Sequence, residues 1–213
     1  MRTLVFDLDG TLVNTIYDIA ESMNKSLTEH GFNIHPHEQY YNFIGEGVIV
    51  LVKKAIGNMD VSDEIMMSVL NRYNEIYSKN STILSRPYDN MLMVLDTLIS
   101  KGYRLAVISN KPDPDTKRVV KHYFGDRFTY VCGWKKEVKR KPDAEGMQIL
   151  LNELDEEISN VTYIGDSRYD AQFAINSGCE YYLFEYGYEK EDILHSYNPK
   201  AFLVEATDLL KYF

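Results

Sequence analysis

Asp7 and Asp9 stand two positions apart at the end of an apolar run, Thr3-Leu4-Val5-Phe6. Carboxylates this close repel unless a cation or a shared proton sits between them. The Gly10-Thr11 that follows also suits an ordinary strand-to-helix turn. A turn needs no second acid, so the pair points to a metal-assisted site. Groups of matching chemistry recur downstream. Ser109 and Asn110 close the apolar stretch Leu105-Ala106-Val107-Ile108. A hydroxyl and freed backbone N–H groups there can hold a phosphoryl oxygen, although Ser-Asn-Lys-Pro is also a common turn. Lys141 ends the basic run Lys139-Arg140-Lys141 ahead of Pro142-Asp143. Most such runs are solvated, but in an acidic chain this one stands out, and Lys141 can offer a point charge to a phosphoryl group and to the carboxylates. Asp166 and Asp170 lie in Gly165-Asp166-Ser167-Arg168-Tyr169-Asp170. Asp166 is expected at a strand tip and Asp170 in the first turn of a helix, where capping is its plain alternative. Asp7 with Asp166 forms an oxygen-rich set of the kind hard Mg²⁺ prefers.

Bringing these groups together requires a sheet whose strands all end on one edge. Strand candidates are Thr3–Phe6, Leu105–Ser109, Phe128–Cys132, Val161–Ile164, Tyr181–Phe184 and Ala201–Val204. Amphipathic helices are expected between them over Met91–Ser100, Thr116–Tyr123, Ala144–Asn152, Tyr169–Asn176 and Glu191–Ser196. Such alternation predicts an α/β fold, a Rossmann-like parallel sheet covered on both faces. Ligands bind such sheets at the carboxyl ends of the strands. Residues 15–84 show helical spacing only, for example Ile16, Ile19, Met23 and Leu27. The expected organisation is therefore an α/β core of residues 1–14 and 85–213 carrying an inserted all-helical cap of residues 15–84, with Pro87 marking re-entry.

Composition narrows the function classes. With 213 residues, 45% hydrophobic and 26% charged, a packed core is expected. A net charge of −9 argues against a general nucleic-acid or membrane-surface binder. It also means that an anionic substrate needs a local remedy, such as Mg²⁺ or a few placed lysines. Cys132 and Cys179 have no metal-like or redox spacing and read as buried free thiols, in keeping with a reducing cytosol. No apolar stretch approaches the ~20 residues of a membrane span, and the four-residue N-terminal apolar run is not a secretory segment. A cytoplasmic protein, monomer or homodimer, is the expectation. His35-Pro36-His37 reads as a solvated loop rather than a metal pair, Arg168 as a solvent-facing side chain, and the 17 tyrosines as packing groups.

Taken in order, these strand-end motifs resemble the haloacid dehalogenase-like superfamily, in its phosphoglycolate phosphatase-like branch. Asp7-Leu8-Asp9-Gly10-Thr11-Leu12 resembles the first motif, Ser109-Asn110-Lys111-Pro112 the second, Lys141-Pro142-Asp143 the third, and Gly165-Asp166-Ser167 with Asp170 the fourth. Gly45-Glu46-Gly47 resembles the glycine-rich substrate loop of a helical cap. The resemblance implies a two-step phosphoryl transfer on a small phosphorylated metabolite. Asp7 would be the nucleophile and Asp9 the acid and base. Mg²⁺ would be held by Asp7, the Asp9 backbone carbonyl and Asp166, with Asp170 positioning its waters. Ser109 and Lys141 would bind the transferring group. Thr11, Asn110, Gly45, Glu46 and Gly47 complete the implied phosphate- and substrate-binding set. The second acid favours phosphate over halide chemistry, because a halide leaving group needs no proton. A sugar-phosphate mutase and a pyrophosphatase share this machinery. A non-catalytic phosphate-binding module would be expected to lack at least one of these groups.

Overall fold

The computed structural model describes residues 2–57 and 61–213. The chain divides into two compact units, Thr15–Arg86 and Met1–Asn14 with Pro87–Phe213.

The first unit is helical. Helix α1 (Ile16–Glu29) buries Ile16, Ile19, Ala20, Met23 and Leu27, an apolar stripe at helical spacing. Helix α2 (Val48–Ile56) buries Leu51, Val52, Ala55 and Ile56, and α3 (Asp63–Asn80) buries Val69, Leu70, Tyr73, Ile76 and Tyr77. The start of α3 is capped by Ser62, whose hydroxyl accepts from the Ile65 amide at 3.3 Å. Asp18, buried in α1, accepts from the Leu84 amide (2.9 Å) and from the Ser85 amide (2.8 Å) and hydroxyl (2.6 Å), tying the last residues of the unit to its first helix. The His35-Pro36-His37 segment is not simply solvated. His35 Nε2 lies 2.7 Å from the Ala55 carbonyl, and its ring meets Phe43 edge-on. A 3-10 turn at His37–Asn42 follows.

The second unit is the α/β body. Its elements are β1 (Thr3–Phe6), β2 (Val13–Asn14), β3 (Arg86–Pro87), α4 (Met91–Ser100), β4 (Arg104–Pro112), α5 (Asp113–Phe124), β5 (Tyr130–Trp134), α6 (Glu145–Leu154), β6 (Val161–Gly165), α7 (Arg168–Ser177), β7 (Glu180–Phe184), α8 (Glu191–Leu194) and β8 (Phe202–Leu203). Six strands form one sheet in the order β5-β4-β1-β6-β7-β8, parallel throughout, and β2 pairs with β3 separately. Successive side chains on a strand face opposite ways, so two apolar layers result. Leu4 and Phe6 of β1 join Val94, Leu98, Val107 and Phe124 on one face. Val5 joins Ala106, Met147, Tyr163, Phe173 and Leu183 on the other.

Chain order leaves β1 flanked by β4 on one side and β6 on the other. That reversal is the topological switch point, where a crevice opens beyond the strand ends. Phe6 is in register with Val107 and with Ile164. The next residue, Asp7, therefore reaches the level of Ile108 and Gly165, with Ser109 and Asp166 one step further on.

Element boundaries depart from expectation in places. Strand β4 runs on to Pro112 because its pairing with β5 shifts register after Ile108 and resumes at Pro112–Trp134. The last helix is a 3-10 turn, Ala206–Lys211. Cys132 lies in β5 and Cys179 in the turn before β7; both are free and only half-buried, rather than buried in strands. Among the described residues no helix is long and apolar enough to cross a membrane.

Candidate active site

Each strand at the switch point delivers one charged group. Asp7 follows β1, and its amide continues the ladder to the Ile164 carbonyl at 2.9 Å. Beyond it the chain turns sharply, with the Gly10 amide on the Val13 carbonyl at 3.0 Å and the Leu12 and Val13 amides on the Leu8 carbonyl. Gly10 has φ 89°, and a Cβ there would lie 2.3 Å from Asp166 Oδ2, so a side chain is excluded twice over. Asp166 follows β6. Asp170 sits at the third position of α7, in a capping box with Ser167.

Asp7, Asp166 and Asp170 are all buried, and each offers an oxygen such that these atoms lie within 4.8 Å of one another. One cation answers them. Lys141 Nζ is 2.7 Å from Asp170 Oδ1, 2.9 Å from the Tyr163 hydroxyl and 2.8 Å from Asp7 Oδ1. The first two are directed hydrogen bonds. The third is an ion-pair contact to a buried Asp7 oxygen. The Tyr163 hydroxyl donates to Asp170 Oδ1 at 3.0 Å. Asp170 Oδ2 accepts from the Asp166 amide and from the Ser167 amide and hydroxyl. Asp166 Oδ1 accepts from the Thr11 hydroxyl at 2.6 Å and Oδ2 from the Tyr188 amide at 2.9 Å.

Titration follows from this crowding. Burial, resisted by Lys141 and reinforced by Asp170, lifts the Asp7 carboxyl from 3.8 to about 6. Burial and the neighbouring Asp170 and Asp7 hold Asp166 well above the usual carboxylate range. Asp170 stays below that range because Lys141 and Ser167 outweigh its burial. Lys141 is held above the usual ammonium value by Asp170 and Asp7 despite its burial. Three clustered, buried carboxylates exceed the one ammonium beside them, and such hard oxygen donors suit a hard divalent cation. The donor set fits a metal ion.

A second pair stands beside the first. Lys111, 4% exposed in its side chain, places Nζ 2.9 Å from both carboxylate oxygens of Asp9. The Asp9 carboxylate is thus held through both oxygens by Lys111.

Residues 4–184 match the haloacid dehalogenase-like hydrolase family. The chain belongs to that family. A phosphoglycolate phosphatase of Haemophilus influenzae is 34% identical over 93% of this chain and 92% of its own length. A phosphoglycolate phosphatase of Mannheimia succiniciproducens is 30% identical over 99% of this chain and 97% of its own. The crystal structure of a predicted phosphoglycolate phosphatase from Haemophilus somnus superposes with a TM-score of 0.93 at 26% identity, covering 100% of this chain and 97% of that one. Within the family this chain is a phosphatase.

Each residue expected at the hydrolase's site has a definite place. Asp7, Asp166, Asp170 and Lys141 converge as described. Ser109 is buried at the end of β4, its hydroxyl 3.4 Å from the Lys111 amide. Asn110 and Lys141 bond reciprocally, Asn110 Oδ1 accepting from the Lys141 amide (2.8 Å) and Nδ2 donating to its carbonyl (3.1 Å), so this side chain holds the Lys141 backbone in place. Thr11, expected to bind phosphate, gives its hydroxyl proton to Asp166. Gly45, Glu46 and Gly47 belong to the helical unit. There Gly45 and Gly47 take φ 103° and 90°, Gly47 leads into α2, and Glu46 pairs with Lys54 at 2.7 Å. Arg168, expected to face solvent, forms a bidentate pair with Glu189. Lys111, Tyr163 and the Tyr188 amide were not among the expected site groups. Lys111 had a signal, since it lies inside the second motif.

Proposed function

We propose that the protein is a Mg²⁺-dependent phosphatase of a small carboxylated phosphomonoester, with phosphoglycolate the first substrate to test, acting through an aspartyl-phosphate. The observation that carries the reading is the cluster of three buried carboxylates, Asp7, Asp166 and Asp170, two of which share the Lys141 ammonium. The names of the relatives in H. influenzae and M. succiniciproducens support the substrate class.

In this reading Asp7 attacks phosphorus as the ester P–O bond breaks, and Asp9 gives a proton to the departing oxygen. Water then attacks the phosphoaspartate, Asp9 takes its proton, and the Asp7 carboxylate is released with inorganic phosphate. Asp7, Asp166 and the Asp9 backbone carbonyl would hold Mg²⁺, with Asp170 ordering its surroundings. The ion supplies charge neutralisation for the phosphoryl oxygens, the main demand of this chemistry. Lys141 contributes a fixed positive charge, and Ser109 a hydroxyl donor at the adjoining strand end. Lys111 holds the Asp9 carboxylate by both oxygens between the two proton transfers. The Gly45-Glu46-Gly47 loop, on its resemblance to a glycine-rich substrate loop, would choose the organic part of the substrate.

A panel of phosphorylated metabolites, read as kcat/KM with Mg²⁺ and with chelator, tests this. Phosphate release from phosphoglycolate that stops with chelator and returns with Mg²⁺ is expected. Full turnover without metal would overturn the metal assignment, and a marked preference for a substrate without a carboxylate would overturn the substrate class.

A further inference from the structure

The segment that follows β7 contacts Asp166 and the turn after β1 that also holds it. The Tyr188 amide donates to Asp166 Oδ2 at 2.9 Å. Gly187 lies so close that a Cβ on it would fall 2.2 Å from the Asp166 Cβ. The Tyr186 hydroxyl donates to the Thr11 carbonyl at 2.8 Å, and Thr11 in turn donates its hydroxyl proton to Asp166 Oδ1. The Tyr186 ring is stacked against Tyr88 and Phe184, with centroids 4.0 and 4.4 Å away. The Tyr188 hydroxyl reaches Asn14 Oδ1 at 3.2 Å.

One ion pair fastens the far end of this segment. Arg168 Nε and Nη2 lie 2.6 and 2.8 Å from the two Glu189 oxygens, a fork-to-fork geometry. The Arg168 amide donates to the same carboxylate at 3.3 Å. The Glu189 side chain is 9% exposed and the Arg168 side chain 44%, so the carboxylate is sheltered while the guanidinium reaches it from the surface. Arg168 is also the first residue of α7, two positions from both Asp166 and Asp170. The clasp therefore joins the segment to the turn that carries both acids.

We propose that Tyr186–Glu189 is a strap that fixes the orientation of Asp166 for its cation, and that Arg168 and Glu189 are positioning residues acting through it. The inference rests on the metal reading above. Partners of a metal-binding carboxylate commonly change metal affinity by about 10- to 100-fold when removed. Neither Arg168 nor Glu189 touches the acidic cluster directly, so the loss is expected toward the lower end of that range.

The test is Mg²⁺ affinity of the full-length protein, measured by calorimetry and by the Mg²⁺-induced rise in Tm, for wild type, Arg168→Gln and Glu189→Gln. Each variant should bind Mg²⁺ roughly 10-fold more weakly and require correspondingly more Mg²⁺ for half-maximal kcat/KM. The swapped pair, Arg168→Glu with Glu189→Arg, should recover part of the affinity. Gly187→Ala, which keeps the clasp but intrudes on Asp166, should weaken binding more than either. Metal-free circular dichroism identifies any variant that fails to fold, and the remaining variants then decide. Wild-type Mg²⁺ affinity in folded Arg168→Gln and Glu189→Gln would overturn the strap while leaving the metal site standing. Absence of Mg²⁺ binding by the wild-type protein would overturn both.

Discussion

Two clusters among the described residues each set one cation between two carboxylates. In the helical unit Arg72 donates to Glu29 at 3.0 Å and to Glu75 at 2.8 Å, with side chains 36%, 37% and 63% exposed. In the α/β unit Lys141 stands between Asp7 and Asp170, with side chains 4%, 11% and 0% exposed. Water screens the first cluster, and arrangements of that kind contribute little to stability. The second has lost its water, carries Asp166 as a further acid, and so depends on whatever positive charge can be brought to it. Counting ion pairs would rank the two as equals. Burial makes one a surface ornament and the other a site that a divalent cation and a phosphoryl group can complete.

The largest effect should come from removing the buried cluster's nucleophile. Asp7→Asn should lower kcat by about 10⁴-fold or more while the far-ultraviolet circular dichroism stays native, as for other residues that act as a unit in covalent catalysis. Next, Lys141→Met strips the ammonium shared by Asp7 and Asp170 from the acidic cluster. It should cost roughly 3–5 kcal/mol in metal-free denaturant unfolding, with part of that restored by Mg²⁺. The third test is pH. The folded Asp7 carboxyl keeps its proton up to about pH 6, whereas the unfolded one loses it near 3.8. Between those values the folded state binds more protons, so metal-free stability should fall as pH rises, by on the order of 3 kcal/mol. Below the lower value the penalty is absent, and Asp7→Asn should make the profile shallower, Asp166 keeping a fall of the same sign. Last, Arg72→Gln should leave Tm and kcat/KM at wild-type values. A large loss of stability there would erase the contrast between the clusters.

Much of the catalytic edge was legible because each charged group ends a strand and strands can be read locally. The alternation of Leu4, Val5 and Phe6 marks β1, and the same logic places Ser109 and Asp166. What the residues do to one another was less legible. Tyr163 reads as an ordinary strand aromatic, and only the pairing of β1, β4 and β6 brings its hydroxyl to Lys141 and Asp170. Lys111 looks like part of a turn until β4 is found to run on to Pro112, which carries its ammonium to Asp9 across 102 positions of sequence. The motif resemblance puts Thr11 and Asn110 at the phosphate, and it gives no hint of the bonds they also make, to Asp166 and to the Lys141 backbone. Local spacing carries no information about such long-range partners. The Arg168–Glu189 clasp, 21 positions apart, was hidden for the same reason.

The central claim is that Asp7 at the tip of β1 takes the phosphoryl group itself. Acid-quenching the wild-type enzyme during turnover of phosphoglycolate, followed by mass spectrometry of the peptide that contains Asp7, tests it most directly. The account predicts one phosphoryl mass on Asp7, formed and lost at rates compatible with kcat and absent from Asp7→Asn. Turnover at full rate by Asp7→Asn, or a phosphoryl adduct on another residue, would contradict it.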